Sequence, residues 1–170
     1  MGRVEAAPAR RYHGTMKFTV AIPVAVLGLM ALSPAWADVP AEARDVFDRY
    51  QSLERSFDPQ LAELYDDDAV ILVTRVYANG VVRHLKIPGD VYKLALRQSM
   101  EAAAEAGDFN QYNDIEFASR DGAVEVTAQR YNLWRNYSSP YRALLRVDED
   151  GYWRIVEERM ETQVPYTASE

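Results

Sequence analysis

The second half of the chain, from Tyr112 to Thr162, has the pattern of four consecutive strands joined by short turns. Apolar and polar residues alternate along four segments: Tyr112–Ser119, Ala123–Tyr137, Tyr141–Val147 and Tyr152–Thr162. Turn-forming residues separate these segments: Arg120-Asp121-Gly122, Ser138-Ser139-Pro140 and Asp148–Gly151. A meander of this length needs a cover on one face, and helices in the first half of the chain can provide it.

Helical periodicity does occur in the first half. Pro40-Ala41-Glu42-Ala43 begins a helix, and its apolar stripe consists of Val46, Tyr50, Leu53 and Phe57. Asp58-Pro59 interrupts this helix and starts a second one, which we expect Asp66-Asp67-Asp68 to end.

A hairpin and a third helix complete the first half. Asn79-Gly80 predicts a tight turn between the strands Ala69–Tyr77 and Val81–Ile87. Asp90 caps a helix over Val91–Ala106, and Gly107 ends it. The sequence therefore predicts an α+β fold in which a curved, mainly antiparallel sheet wraps around about three helices.

The first 37 residues have the features of a leader with a cleavable signal peptide. Lys17 precedes the apolar run Phe18–Leu32, and Ala35-Trp36-Ala37 matches a small-x-small cleavage site. Residues 1–15 precede this signal, and Met16 is an alternative start of translation. We expect a folded domain over residues 38–162, a loose tail over residues 163–170, and a periplasmic or secreted location. The apolar run is short for a membrane span, so we expect no stable membrane insertion after cleavage.

The net charge disfavours one class of partner, and the absence of cysteine limits how the domain can be stabilised. The chain has 19 basic and 26 acidic side chains; the leader takes four basic and one acidic, which leaves a net charge of about −10. Such a surface disfavours nucleic-acid binding. There is no cysteine, so the core alone must stabilise the domain.

Several catalytic and metal-binding patterns are also missing. Asp66-Asp67-Asp68 lacks the alternating spacing of a calcium loop, and His84 is the only histidine after the leader. No glycine-rich phosphate loop and no nucleophile motif occurs. We therefore expect no cofactor and no metal.

Short motifs at both ends of the predicted domain resemble a known superfamily. Val46-Phe47-Asp48-Arg49-Tyr50, Leu61–Val70 and Asp150–Val156 resemble the opening and closing segments of nuclear transport factor 2-like proteins. That superfamily includes ketosteroid isomerases, SnoaL-like cyclases and non-catalytic binding domains. The resemblance implies a cystatin-like, cone-shaped fold with a pocket between the helices and the sheet, and a homodimer formed through the sheet.

The isomerase pattern is not complete in this chain. Tyr50 matches the helix-one tyrosine that supports an oxyanion in the isomerases. Val73 falls where the resemblance places the general base, and Ala143 falls where it places the second acid. Neither side chain can transfer a proton, so we favour a binding protein over an enzyme and assign no catalytic residue.

Two strands supply the other candidate ligand-binding residues. In the last strand, the resemblance places Trp153 inside the cone, and alternation then places Glu157 and Arg159 there too. In Ala123–Tyr137, Arg130, Asn132 and Trp134 share one face. If that face is inner, Arg130 needs a partner such as Glu157 or a bound anion; if it is outer, Arg130 is solvated.

These observations lead to one favoured function and two alternatives. The favoured function is an exported domain that binds a small amphipathic ligand in its cone or a protein partner on its sheet. One alternative is an isomerase, cyclase or dehydratase that uses Glu157 with Tyr50. The other is a dimeric assembly module whose cone is filled by its own side chains.

Overall fold

The computed structural model describes residues 39–164, which form two α-helices, a 3-10 helix and one six-stranded sheet. In chain order the strands are β1 (Tyr65–Tyr77), β2 (Val82–Pro88), β3 (Asn110–Arg120), β4 (Ala123–Asn132), β5 (Tyr137–Val147) and β6 (Trp153–Val164). Their spatial order is β2-β1-β6-β5-β4-β3. Only β1 and β6 pair in parallel; the other neighbouring pairs are antiparallel. The predicted α+β class with a mainly antiparallel sheet is confirmed.

The three helices begin close to where the sequence predicts them. They are α1 (Ala41–Arg55), the 3-10 helix (Pro59–Leu64) and α2 (Gly89–Ala106). Asp58 caps the 3-10 helix as expected, since its carboxylate accepts from the Gln60 amide at 2.8 Å. Gly107 ends α2 in a left-handed conformation at φ 64°.

The second helix ends earlier than predicted. Tyr65 already belongs to β1 and pairs with Ile155 of β6. Asp66, Asp67 and Asp68 therefore lie in the first part of β1, and the expectation that they end a helix is wrong. They lie between the paired residues Tyr65 and Val70, where the pairing of β1 with β6 is irregular, and Lys93 of α2 binds the Asp67 carboxylate.

One of the predicted turns is displaced. Asn79-Gly80 forms the expected hairpin turn with Gly80 at φ 82°. Ser138-Ser139-Pro140 does not turn but lies in β5, and the chain turns instead at residues 133–136. Asn132 supports this turn by accepting from the Arg135 amide at 2.8 Å, and Asn136 adopts φ 53°.

The core lies between the helices and one side of the sheet. Phe47 of α1 is 1% exposed and packs against Tyr50, Tyr112 and Tyr141. No helix within residues 39–164 is long and apolar enough to cross a bilayer. The predicted leader and residues 165–170 lie outside the described part of the chain, and β6 continues to Val164, two residues beyond the predicted end of the domain.

Candidate functional site

A β-bulge in β6 decides which of its charged residues faces the helices. Leu145 of β5 pairs with Ile155, but Leu144 pairs with Glu157, so Val156 has no partner of its own. The extra residue moves the alternation by one position. Ile155 and Glu158 consequently point to the core, at 1% and 0% exposure.

Tyrosines surround the buried carboxyl group of Glu158. The Tyr65 hydroxyl donates to Oε2 at 2.9 Å, and the Tyr50 hydroxyl donates to Oε1 at 3.1 Å. Tyr112 donates in turn to the Tyr50 hydroxyl at 3.3 Å. Tyr141 also lies close enough to affect the pKa of Glu158, but its hydroxyl forms no hydrogen bond with the described residues. We call Glu158 and these four residues the tyrosine cluster.

The tyrosine cluster is built to hold a carboxyl group away from water. Burial raises the pKa of Glu158, and the hydrogen bonds from Tyr65 and Tyr50 offset only part of that effect. Burial likewise raises the pKa of Tyr50 and Tyr65 well above the ordinary tyrosine value, so both hydroxyls remain protonated donors. Glu158 has no exposed surface, so it cannot contact a ligand in this structure.

A cavity of about 240 Å³ lies beside the tyrosine cluster, between the helices and the sheet. Its apolar wall comes from the helices and from the turn after α1, and it consists of Phe57, Leu61, Leu96, Met100 and Ala103. Its polar wall consists of Tyr50, Glu54, Asn110, Arg130, Asn132 and Tyr137, together with neighbouring residues. The cavity therefore combines an apolar wall with a wall of polar and charged side chains.

Glu54 of α1 is a buried acidic residue in the polar wall of this cavity. One carboxylate oxygen, Oε1, accepts from Asn110 Nδ2 at 2.6 Å, whereas the buried Oε2 has no partner among the described residues. Burial raises the pKa of Glu54 from 4.5 to about 7, although Asn110, Tyr112 and Arg130 each lower it. Glu54 therefore changes charge near neutral pH.

A chain of side-chain amides holds Glu54 in place. Asn132 Nδ2 donates to Asn110 Oδ1 at 3.1 Å and to Asp108 Oδ1 at 2.6 Å. Asn110 then donates to Glu54 through its own amide nitrogen. Asn132 is thus a positioning residue, because both ends of its amide are already bonded to the protein.

Arg130 is a buried cation whose hydrogen bonds all go to uncharged groups. It is 5% exposed, and it donates to the Glu161 carbonyl oxygen, to Met160 Sδ at 3.3 Å and to the Tyr137 hydroxyl at 3.5 Å. Its Nε has no partner, and no carboxylate of residues 39–164 lies within ion-pairing distance of it. Since arginine stays charged in proteins, the Arg130 charge is buried here without a carboxylate of these residues in direct contact.

Three of the seven residues proposed from the sequence line the cavity: Tyr50, Arg130 and Asn132. The face of β4 that carries Arg130 is the inner one, which settles the alternative left open by the sequence. Trp134 lies in the turn after β4 at 52% exposure, with the Arg135 guanidinium 4.8 Å from its ring centre. Trp153 is half-buried in a separate groove beside α1. Neither tryptophan contributes to the cavity.

The expectation that Glu157 and Arg159 point into the cone is wrong. Both lie on the side of the sheet away from the helices, where Arg159 Nε donates to Glu157 Oε1 at 2.7 Å. Arg142 joins them, at 3.4 Å from Glu157 and 2.7 Å from Glu125. The β-bulge at Val156 is the physical reason, because it exchanges the faces of all later residues in β6.

A larger and more open depression of about 810 Å³ lies against the sheet and includes Thr127, Arg142 and Arg159. The cations in it are already paired with Glu125 and Glu157. We place the candidate site in the smaller cavity, because Arg130 Nε and Glu54 Oε2, which belong to residues lining it, form no hydrogen bond within the described part of the chain. Within residues 39–164, no group of three or more acidic or histidine side chains is arranged to hold a metal ion.

The two positions that depart from the isomerase pattern are both in the core. Val73 and Ala143 are 7% and 1% exposed and face the helices. Ala143 pairs directly across the sheet with Glu158. A carboxyl group is therefore present at this level of the sheet, on the neighbouring strand rather than on β5.

Sequence reasoning missed Glu54 and Glu158. Glu54 follows Tyr50 by four residues, so both lie on the same side of α1, and this spacing could have identified it. Glu158 carries no such signal, because simple alternation along β6 assigns it to the outer face. Only the position of the bulge reveals its inward orientation.

Comparison with known proteins identifies the fold. Similar solved structures include an NTF2-like protein with a cystatin-like fold from Novosphingobium aromaticivorans (TM-score 0.51, 18% identity, 71% of this chain and 79% of that one). An NTF2-like protein of unknown function from Shewanella oneidensis has a TM-score of 0.53 and 13% identity, over 71% of this chain and 97% of that one. Another, from Pseudomonas putida, has a TM-score of 0.52 and 13% identity, over 75% of this chain and 87% of that one. Neither a protein-family model nor a curated protein matches the sequence. The chain therefore has the nuclear transport factor 2-like fold that the sequence motifs implied, and at these identities the comparison extends to the fold alone.

Proposed function

We propose that this protein binds a small amphipathic ligand in the cavity between its helices and its sheet. One observation carries the proposal: two buried polar atoms without partners, Glu54 Oε2 and Arg130 Nε, belong to residues that line the same partly apolar cavity. Unpaired buried polar groups are costly and uncommon in folded proteins. A ligand with a polar end and an apolar body would place its polar end against the Glu54 and Arg130 side chains and cover the apolar wall.

The volume of the cavity limits the size of the ligand. At about 240 Å³ it is slightly smaller than the usual range for drug-sized ligands, which is roughly 300–1,000 Å³. Side chains already occupy the adjacent space around Phe47 and the tyrosine cluster. The ligand is therefore expected to be a short-chain or single-ring compound.

Filling the cavity with a side chain should abolish binding. Ala103 lines the cavity from α2, and we expect Ala103→Phe to weaken the binding of hexan-1-ol by at least about tenfold, since the new ring occupies the ligand's place. The measurement is a titration that follows backbone amide shifts by NMR.

Ala102→Phe is the matched control, because Ala102 is the adjacent, exposed residue of the same helix and does not line the cavity. It should bind hexan-1-ol like the unmodified protein. Equal binding by both phenylalanine variants, or the absence of saturable shifts around the cavity, would contradict the proposed function.

A second candidate function is proton-transfer catalysis. It is favoured by the pKa of Glu54, which burial raises to about 7, the value expected of a general base at neutral pH. The catalytic hypothesis in which Glu157 acts with Tyr50 no longer applies, because Glu157 lies on the opposite side of the sheet. Incubating a bound carbonyl compound with the protein in deuterium oxide separates the two functions: an enzyme exchanges C–H protons in a Glu54-dependent manner, and a binder does not.

The predicted leader and the resemblance add two further parts to the proposal. The leader implies that the protein meets its ligand in the periplasm or outside the cell. A homodimer would form through the side of the sheet that carries Arg142 and Glu157. Sedimentation of the protein at tens of micromolar tests the dimer, and a monomer would contradict it.

A further inference from the structure

We infer that the ligand is a small monoanion, a carboxylate on a short apolar body, and that it binds at Arg130 together with a proton taken up by Glu54. This inference rests on the proposed function, because it requires the cavity to be a binding site. It adds the charge of the ligand and a dependence of binding on pH. Both follow from the incomplete hydrogen bonding of the two buried charged groups of the cavity, Arg130 and Glu54.

The preference for an anion follows from Arg130. Its hydrogen bonds reach a carbonyl oxygen, a thioether and a phenol, and its Nε reaches nothing. A buried guanidinium whose direct hydrogen bonds all go to neutral acceptors is only partly compensated for its desolvation. A carboxylate is the group that best matches the donors of arginine, and its arrival would compensate that charge.

The uptake of a proton follows from Glu54. Its carboxyl group lines the same cavity, and its Oε2 has no hydrogen-bond partner. When Glu54 is ionised, a second carboxylate in the cavity is repelled, because two like charges share one buried site. When Glu54 is protonated, the repulsion disappears and the carboxyl group becomes a donor. The anion and the proton therefore favour each other's binding.

Other titratable and charged groups also face Glu54 or the cavity, and they come from every element around it. They are Tyr50 of α1, Tyr92 of α2, Asp108 of the α2–β3 connection, Tyr112 of β3, Arg130 of β4, Arg135 of the following turn, Tyr137 of β5 and Glu158 of β6. Burial raises the pKa of Tyr50, Tyr92 and Tyr112, so these hydroxyls stay neutral. Asp108 and Glu158 are the other acids, and the Glu54→Gln variant shows whether the pH dependence belongs to Glu54.

The size of the expected effect follows from linkage. Burial places the pKa of Glu54 at about 7 in the free protein. If only the protonated form binds the anion, the affinity changes about tenfold between about pH 8 and about pH 6. Aliphatic carboxylates remain ionised over this range, so the ligand's own titration does not contribute.

The test compares three six-carbon probes: hexanoate, hexan-1-ol and hexylamine. Calorimetric titrations at about pH 6 and about pH 8 should show that hexanoate binds about tenfold more tightly at the lower pH. At the higher pH, binding should be accompanied by the uptake of close to one proton. Hexan-1-ol should bind with the same affinity at both pH values. Hexylamine should bind more weakly than either at about pH 6, because Arg130 repels it.

Two variants assign the effect to its residues. Glu54→Gln imitates the protonated side chain, so hexanoate should bind it equally at both pH values and as tightly as it binds the unmodified protein at about pH 6. Arg130→Gln should lose the preference for hexanoate over hexan-1-ol. Should Arg130→Gln fail to fold, the Glu54→Gln comparison decides alone.

The outcomes also separate this inference from the proposed function. Binding of hexan-1-ol without a preference for hexanoate, or hexanoate affinity that does not depend on pH, overturns the inference and leaves the proposed function standing. A pH dependence that persists in Glu54→Gln also overturns it. If none of the three probes binds, both the inference and the proposed function fail.

Discussion

Replacing Glu158 with alanine is expected to lower the free energy of unfolding by about 3–5 kcal/mol. The substitution leaves the hydroxyls of Tyr50 and Tyr65 buried without an acceptor, at roughly 1–3 kcal/mol each, and it also creates a cavity. Glu158→Gln should cost less than about 1.5 kcal/mol, since glutamine fills the same space and keeps an acceptor oxygen. Urea denaturation of the variants measures both changes.

The neighbouring residue supplies the control for this experiment. Glu157 is in an ion pair with Arg159 on the outer side of the sheet, so Glu157→Ala should cost less than about 1 kcal/mol. The contrast between the two adjacent glutamates tests the position of the β-bulge as well as the tyrosine cluster. A larger loss for Glu157→Ala than for Glu158→Ala would contradict the observed register.

Replacing Glu54 with glutamine is expected to change how stability depends on pH. The pKa of Glu54 is raised from 4.5 in the unfolded chain to about 7 in the folded protein, so the folded state binds more protons between these values. Stability contributed by this group is present below about pH 4.5 and declines as the pH rises towards about 7. Between about pH 5 and about pH 8 the decline amounts to about 2–3 kcal/mol.

Glutamine cannot ionise, so Glu54→Gln should become more stable relative to the unmodified protein by that amount as the pH rises. Urea denaturation at the two pH values measures the difference. Glu105→Gln, at an exposed position of α2, is the control and should follow the unmodified protein at both pH values. A constant stability difference between Glu54→Gln and the unmodified protein would mean that Glu54 does not titrate near neutral pH.

Most of the fold could be predicted from the sequence, because the signals for its elements are local. The apolar stripe through Val46, Tyr50 and Phe57, the Asn79-Gly80 turn and the Gly107 helix end each depend on a few neighbouring residues. The errors lie where pairing across the sheet overrides a local signal. Ser138-Ser139-Pro140 has turn-forming composition, yet its residues pair with β4 and extend β5 instead.

The candidate site could be predicted only in part. Arg130 and Asn132 stood out because charged and amide side chains are unusual on an apolar strand face. The sequence left open which face of β4 is inner, since both faces contain apolar residues. Glu157 and Arg159 were assigned to the inner face by alternation, and one unpaired residue in β6 reverses that assignment. A bulge depends on how two strands align, which a single segment does not encode.

The structure moves the candidate ligand site to another part of the cone, while the proposed kind of function, ligand binding, stays the same. The cone is filled near Phe47 and the tyrosine cluster, as the assembly-module alternative requires, but a cavity remains beside Glu54 and Arg130. The polar residues of that cavity come from α1 and β4 rather than from the end of β6. A protein that takes up an anion and a proton together would bind its ligand more tightly in an acidic environment.

The most direct test of this account is the titration of the Glu54 side-chain carboxyl carbon by NMR, with and without saturating hexanoate. We expect a midpoint near pH 7 in the free protein and a higher midpoint in the hexanoate complex, because the bound anion favours the protonated carboxyl group. A midpoint near 4.5 in the free protein, or one that hexanoate leaves unchanged, would contradict it.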